Sequence, residues 1–246
     1  MLMHTVVLEV CAGLGNRLRA MASGFCAAEE IGRSLRIVWG LEPACGASFE
    51  QLFENEFPGV IFYKSMPAGT KKTMCLSPTD WLAVKDMDAP IVIKSYGQFT
   101  ENRERFLYWL RQLRPRREIV EATDPIFLLG PVVGIHMRRG DHVKCIANSP
   151  TSLFIEAMRR YPKDTVFFVA SDSDEDREKL EWQFPGQVRT VAQNLVRDTA
   201  AGMVDAMKDF VALSRCSEIL GTKGSSFSEM AAAYGDKPLH ELFVKG

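Results

Sequence analysis

The first half of the chain alternates short apolar runs with segments of helical periodicity. Runs rich in β-branched residues lie at 5–10, 35–39 and 90–96, and a long helical pattern occupies 17–32. A strand, a loop, a helix and a second strand in this order are typical of a parallel sheet. The pattern therefore predicts an α/β first half, with weaker periodicity between 40 and 90.

The second half repeats the alternation more regularly. Predicted strands lie at 131–137, 165–171, 186–191 and 217–222, and predicted helices at 149–162, 173–184, 200–216 and 227–235. Ser149 is the expected N-cap of the first of these helices. Four alternations of strand and helix predict a Rossmann-type unit.

The dipeptide Asp124-Pro125 is a turn signal between the two halves. We therefore predict an N-terminal Rossmann-like domain at 1–120 and a C-terminal one at 125–235. Residues 236–246 are predicted to be a tail.

Composition narrows the class of protein. The 246 residues are 46% hydrophobic and 25% charged, with a net charge of −1, which is ordinary for a globular chain and argues against nucleic-acid binding through bulk charge. No apolar run reaches membrane-spanning length, and the N-terminus lacks a basic leader followed by a long apolar segment. We expect a cytoplasmic protein or a domain of a longer one, whose six scattered cysteines are reduced.

The most informative stretch is 132–143, where an apolar strand ends in His136, Arg138, Arg139, Gly140 and Asp141. Ligands of open α/β sheets bind where strands end, and adjacent guanidinium groups favour an anion such as phosphate. The alternatives are two surface arginines near a turn and a structural histidine.

Two further loops are expected at the same sheet edge. Ser225 and Ser226 open a helix and offer an anion cradle, although Ser226 with Glu229 also fits a capping box. Asp172 and Asp174 follow a buried strand. They could hold a divalent metal, but a helix's acidic first turn is the simpler interpretation.

The N-terminal "GLGNRLRA" runs from Gly13 to Ala20 between a predicted strand and helix. It resembles a dinucleotide loop only superficially, because Leu18 stands where the third glycine of that fingerprint belongs. No Walker-type phosphate loop is present, which argues against a P-loop ATPase.

Four sequence motifs, taken in order, resemble those of the α1,2-/α1,6-fucosyltransferases and protein O-fucosyltransferases. They are "GLGNRLRA", "HMRRGD", "VASDSDE" and "SSFSEMAA". The resemblance implies a GT-B fold, with two Rossmann-like halves facing across a cleft, the N-terminal acceptor half being reduced. It also implies an inverting, metal-independent transfer from GDP-fucose or another nucleotide sugar to a glycan or other hydroxyl acceptor, with no cofactor.

The resemblance assigns roles by position. Arg138 would bind the β-phosphate, with Arg139 beside it. His136 and Asp141 would shape the loop that carries the two arginines. The other donor-binding residues implied are Ser225, Ser226, Asp209 on the base, Asp172 near the nucleoside, and Gly13, Gly15, Asn16 and Arg17 from the other half.

Sugar transfer builds negative charge on the departing diphosphate, which fixed arginines can stabilise. An inverting attack also needs an acceptor for the hydroxyl proton, for which Asp141 is the first candidate and Glu9 the second.

Arg17 follows Gly15-Asn16 where the α1,2 enzymes more usually have glutamine, which leaves the donor and acceptor sugars open. Three alternatives stay open. They are the same fold using UDP-rhamnose or another deoxysugar donor, a GT-A-like manganese enzyme using Asp172 and Asp174, and a non-catalytic binding module.

Overall fold

A computed structural model describes residues 4–128, 130–140, 143–194 and 196–244, without the side chains of 143–145. The chain divides into two units of equal size. The first comprises residues 1–116 and 197–203, and the second 117–196 and 204–246. The sequence placed one boundary at 120–125, whereas the structure also returns a short later segment to the first unit.

The first unit is built on a five-stranded parallel sheet with the order β3-β2-β1-β5-β4. Its strands are β1 (Thr5–Val10), β2 (Ser34–Trp39), β3 (Ile61–Tyr63), β4 (Thr73–Met74) and β5 (Ile91–Ser95). Its helices are α1 (Leu14–Glu30), α2 (Phe49–Leu52), α3 (Pro78–Leu82) and α4 (Arg103–Arg111). The strand order reverses beside β1, so the loops after β1 and β5 meet at the switch point of the sheet.

The second unit holds a parallel sheet with the order β10-β9-β6-β7-β8. Its strands are β6 (Val132–Met137), β7 (Val166–Ser171), β8 (Val188–Arg189), β9 (Glu218–Thr222) and β10 (Leu239–Leu242). Its helices are α5 (Arg117–Glu121), a 3₁₀ turn (Asp124–Phe127), α6 (Val143–Asn148), α7 (Thr151–Met158), α8 (Asp174–Gln183), α9 (Ala200–Arg215), which begins in the stretch assigned to the first unit, and α10 (Ser226–Gly235). The order is that of a Rossmann sheet, with its switch point between β6 and β9.

Alternation along β6 separates core from site. Ile135 and Met137 point into an apolar cluster with Phe154 of α7, Phe167 of β7 and Leu180 of α8. His136 points to the other face. There its ring stacks on Phe227 of α10, with 5.1 Å between the ring centroids.

Both sheets have five strands, of which β3 and β4 in the first unit are only three and two residues long. Two details differ from the sequence predictions. The segment 236–246, predicted as a tail, carries β10, which pairs in parallel with β9. Ser149 does not begin α7, whose N-cap is Pro150; the Ser149 hydroxyl instead donates to the Leu242 carbonyl, 2.6 Å away. None of the described helices is long and apolar enough to cross a bilayer.

Candidate functional site

In the second unit, six of the predicted site residues lie at or just after the carboxyl ends of β6, β7 and β9: His136, Arg138, Arg139, Asp172, Ser225 and Ser226. The backbone N–H of Arg138, just after β6, donates to the Thr222 hydroxyl at the end of β9, at 3.0 Å. This bond ties together the two loops that flank the switch point. Gly140 (φ +38°) and Gly224 (φ +71°) let the two loops turn sharply where a Cβ would be strained.

Asp172, at the end of β7, binds both arginines of the β6 loop. Its Oδ2 accepts from the Arg138 guanidinium at 2.6 Å, and its Oδ1 accepts from the backbone N–H of Arg139 at 2.6 Å. The Arg138 and Asp172 side chains are 18% and 17% exposed. Arg138 is therefore held in place by a charged partner while part of its side chain is exposed to solvent.

Arg139 points the other way. Its side chain is 5% exposed, its Nε donates to Asp176 Oδ2 at 2.7 Å, and a guanidinium nitrogen donates to the Thr151 hydroxyl at 3.3 Å. The guanidinium also lies 5.6 Å from the centre of the Phe154 ring. These contacts fix the β6 loop to α7 and α8, so the structure places Arg139 beneath the loop rather than beside Arg138.

His136 is buried, and burial lowers its pKa to about 4. The imidazole is therefore neutral near pH 7. Its Nδ1 makes no hydrogen bond to any part of the chain that the structure describes. A buried neutral imidazole with an unpartnered ring nitrogen can form one hydrogen bond with a ligand, as donor or acceptor according to its tautomer, but it adds no charge.

A second charged group lies deeper, on α8 and α9. Arg177 donates to the carbonyls of Ser171 (2.6 Å) and Ala192 (2.8 Å), and its guanidinium lies 3.7 Å from Asp209. Burial raises the pKa of Asp209 to about 7, although Arg177 opposes the shift. Among the described residues Asp209 Oδ1 and Arg177 Nε have no hydrogen-bond partner, so both can serve a ligand.

The two carboxylates of the Asp172-x-Asp174 motif face different partners. Asp172 binds the β6 loop, whereas Asp174 is exposed in the first turn of α8 and lies 3.9 Å from Arg177. Ser173 is the N-cap, and its hydroxyl accepts from the Asp176 N–H. The motif is thus a helix start, and the described residues contain no group of three or more potential metal ligands.

The N-cap of α10 is not the serine that the sequence predicted. Ser225 is the N-cap and Ser226 the first helical residue, so the predicted Ser226–Glu229 capping box is wrong. Ser225 is buried, and its side chain makes no capping bond to the helix. Its hydroxyl therefore lies at a helix N-terminus without serving that helix, which suits an anion.

The first unit holds the remaining predicted residues. Gly13 is the N-cap of α1, Gly15 and Asn16 lie in its first turn, and Asn16 Oδ1 accepts from Arg19 at 2.7 Å. Arg17 was predicted to meet the donor, but its side chain is fully buried and donates to the carbonyls of Ala12 and Gly40, each at 2.8 Å.

The structure weakens the second of the two candidate bases, Glu9. Burial alone would raise the pKa of Glu9, but hydrogen bonds and charge from Lys72 and Lys94 bring it below its ordinary value. An ion-paired carboxylate of this kind is a weak proton acceptor, so Glu9 is a poor base. Asp141, the first candidate, lies outside the described residues.

Sequence reasoning missed Arg177, Thr222 and Phe227. Arg177 carried a usable signal, since it lies three residues before Leu180 and shares the buried face of α8. Thr222 ends a predicted strand and Phe227 follows the serines. Neither residue type predicts the contact that it makes, which is a hydrogen bond for Thr222 and a ring contact for Phe227.

The two sheets and their order define the class of fold. The chain has the GT-B fold seen in fucosyltransferases. The hypothesis of a manganese enzyme required a GT-A-like fold, and that fold prediction is wrong. No protein-family model and no curated protein matches the sequence.

Particular solved structures share this fold over nearly the whole chain. NodZ α-1,6-fucosyltransferase soaked with GDP-fucose is 20% identical, with a TM-score of 0.71, covering 97% of this chain and 94% of NodZ. POFUT1 in complex with GDP is 13% identical, with a TM-score of 0.62 and coverage of 98% and 99%. A mutant of Arabidopsis thaliana FUT1 with GDP is 14% identical, with a TM-score of 0.65 and coverage of 96% and 69%.

Proposed function

We propose that this chain is a fucosyltransferase that moves L-fucose from GDP-fucose to a hydroxyl of a glycan-type acceptor, with inversion and without a metal ion. The observation that carries the proposal is Arg138, a partly exposed arginine at the switch point of the sheet, whose guanidinium is oriented by Asp172. The chain shares its fold with NodZ, which was soaked with GDP-fucose, and with POFUT1 in complex with GDP, and this supports the same choice of donor.

Arg138 is proposed to bind the β-phosphate. As the bond between sugar and phosphate breaks, negative charge develops on GDP and the sugar acquires oxocarbenium character. A guanidinium already fixed by Asp172 stabilises that charge without reorganising, which is the efficient form of electrostatic catalysis. The Ser225 hydroxyl and the N-terminal N–H groups of α10 are proposed to bind phosphate oxygens as well.

Asp209 is proposed to select guanine. Guanine presents an N–H and an NH₂ side by side, and a carboxylate accepts from both. Uracil presents one N–H between two carbonyl oxygens, which repel a carboxylate. The unpartnered Oδ1 of Asp209 therefore favours GDP over UDP, and with it GDP-fucose over UDP-rhamnose.

In the first unit we assign Gly13, Gly15 and Asn16 to substrate binding, and we keep Asp141 as the proposed base. An acceptor hydroxyl must lose its proton as it attacks, and the deprotonated carboxylate is the simplest group to take it.

The test is a transfer assay with GDP-fucose and UDP-rhamnose on a panel of glycan acceptors, using wild type, Arg138→Ala and Arg159→Ala. Arg159 is an exposed arginine of the same unit and serves as the matched control. We expect transfer from GDP-fucose at a rate that a metal chelator does not change. NMR of the product should show that the anomeric configuration is inverted. Arg138→Ala should lower kcat/KM about 10²–10³-fold and Arg159→Ala leave it unchanged.

Transfer from UDP-rhamnose alone would overturn the donor assignment, and retained configuration would overturn the mechanism. Nucleotide-sugar binding with neither transfer nor hydrolysis by wild type would instead identify a binding module.

A further inference from the structure

Ala12, between β1 and α1, has a left-handed backbone (φ +65°) although it is not glycine. This conformation is unfavourable for a residue with a Cβ, and it persists only where the surroundings hold it. Ala12 also sets the direction in which the chain enters Gly13, the N-cap of α1. The question is which groups hold Ala12 in place.

Arg17 holds the carbonyl side of Ala12. Its Nε donates to the Ala12 carbonyl at 2.8 Å, and another guanidinium nitrogen donates to the Gly40 carbonyl after β2, also at 2.8 Å. The guanidinium lies 5.0 Å from the centre of the Trp39 ring. One buried side chain thus links the loop after β1 to the loop after β2.

Glu42 holds the amide side. Its Oε2 accepts from the Ala12 N–H at 3.1 Å, and its Oε1 lies 3.7 Å from an Arg17 guanidinium nitrogen. The two polar groups of one strained residue are therefore bound by two side chains of opposite charge, which also attract each other.

We propose that Arg17 and Glu42 are positioning residues, which fix Ala12 so that Gly13, Gly15 and Asn16 are presented in the geometry the reaction needs. The inference rests on the proposed function for its catalytic consequence. Arg17 acts through the backbone rather than by touching substrate, which accounts for a fully buried charge next to a substrate loop.

The arrangement requires the guanidinium fork. Lysine carries its charge on one nitrogen and cannot hold the carbonyls of Ala12 and Gly40 in the same planar geometry while stacking on Trp39. At Glu42 the requirement is an acceptor for the Ala12 N–H, which the amide oxygen of glutamine also supplies.

The experiment compares Arg17→Lys, Glu42→Ala and Glu42→Gln with Arg33→Lys. Arg33 is a matched control, since it also donates to two backbone carbonyls, those of Met87 and Ala89, but follows the other end of α1. The readouts are kcat and KM for GDP-fucose, and hydrogen exchange of the Ala12 amide by NMR.

We expect Arg17→Lys and Glu42→Ala to lower kcat about 10–100-fold with KM for the donor changed less than about threefold, as for a misplaced group. The Ala12 amide should exchange at least about tenfold faster in Glu42→Ala. Glu42→Gln should recover most of both quantities, and Arg33→Lys should match wild type. If Arg17→Lys does not fold, the two Glu42 variants carry the test.

Faster exchange at Ala12 with an unchanged kcat would show that the pair only stabilises the fold, which overturns the proposal. Unchanged exchange in Glu42→Ala would overturn it at the level of geometry. If wild type transfers no sugar, the proposed function fails, and the exchange data still decide separately whether the pair fixes Ala12.

Discussion

The loops after β1 and β6 occupy equivalent places in their sheets, yet they use arginine in different ways. In the first unit Arg17 is buried and donates to two backbone carbonyls, with a carboxylate 3.7 Å away. In the second unit Arg138 and Arg139 donate to the carboxylates of Asp172 and Asp176. One loop is fixed in shape by its arginine, whereas the other has its arginines fixed by acids.

The difference teaches which guanidinium is available to an anion. Neutral carbonyls hold Arg17 where solvent does not reach it, and Asp176 holds Arg139 at 5% exposure. Arg138 is the one of the three that combines a fixed orientation with appreciable exposure. A diphosphate can share Arg138 with Asp172, because a guanidinium carries five donors.

The largest expected effect is a difference in the stability lost when each of Arg139 and Arg138 is replaced. Arg139→Met leaves the Asp176 carboxylate without its buried partner and should lower the free energy of unfolding by about 3 kcal/mol. Arg138→Met should cost less than half as much, because Asp172 keeps the Arg139 N–H. Chemical denaturation, with hydrogen exchange of the β6 and β7 amides, measures both; equal losses would contradict the comparison.

A smaller, pH-dependent effect should come from Asp209. Its pKa of about 7 means that between about pH 4 and 7 the folded protein keeps a proton that the unfolded chain has released, so this group's contribution to stability falls as pH rises. Asp209→Asn does not titrate, so its melting temperature relative to wild type should rise between about pH 5 and pH 7.5, by the equivalent of about 1 kcal/mol or more.

Asp205→Asn is the matched control on the same helix. Burial would raise the pKa of Asp205, but Lys208 and the N–H groups of Asn194 and Gln193 lower it overall. Its own titration therefore lies below this window. Because the Asp205 charge also contributes to the raised pKa of Asp209, we expect a rise much smaller than that of Asp209→Asn. A flat Asp209→Asn difference would show that Asp209 is ionised throughout.

The smallest effect distinguishes two N-cap serines of the second unit. Ser173→Ala removes a hydroxyl that accepts from the Asp176 N–H and should cost about 1 kcal/mol of stability. Ser225→Ala removes a hydroxyl with no capping bond and should cost less than about 0.5 kcal/mol, while weakening GDP binding. A larger thermal shift for Ser225→Ala than for Ser173→Ala would reverse this assignment.

The sequence predicted the parallel strands and the loops that follow them, because buried strands have local signatures. It identified the regions of Arg138, Asp172 and Ser225 for that reason. The direction of each arginine could not be predicted. Arg139 turns inward to bind Asp176, which is 37 positions away in sequence. Arg17 turns inward to bind the Gly40 carbonyl and lie near Glu42, both of which follow a later strand. Partners this distant leave no local signal.

Strand β10 was missed for a related reason. The segment Leu239–Leu242 is short and half-buried, without an apolar run, and it becomes a strand by pairing with the edge of β9. Edge strands of this kind depend on the partner more than on their own residues.

The central claim is that Arg138 binds the β-phosphate of a guanosine diphosphate. Calorimetric titration of wild type and Arg138→Met with GDP and with GMP, which lacks that phosphate, tests it most directly. We expect Arg138→Met to weaken GDP binding about 10–100-fold and GMP binding less than about threefold, as for one charged hydrogen bond. Equal affinity of both proteins for GDP, or equal losses for GDP and GMP, would contradict the claim.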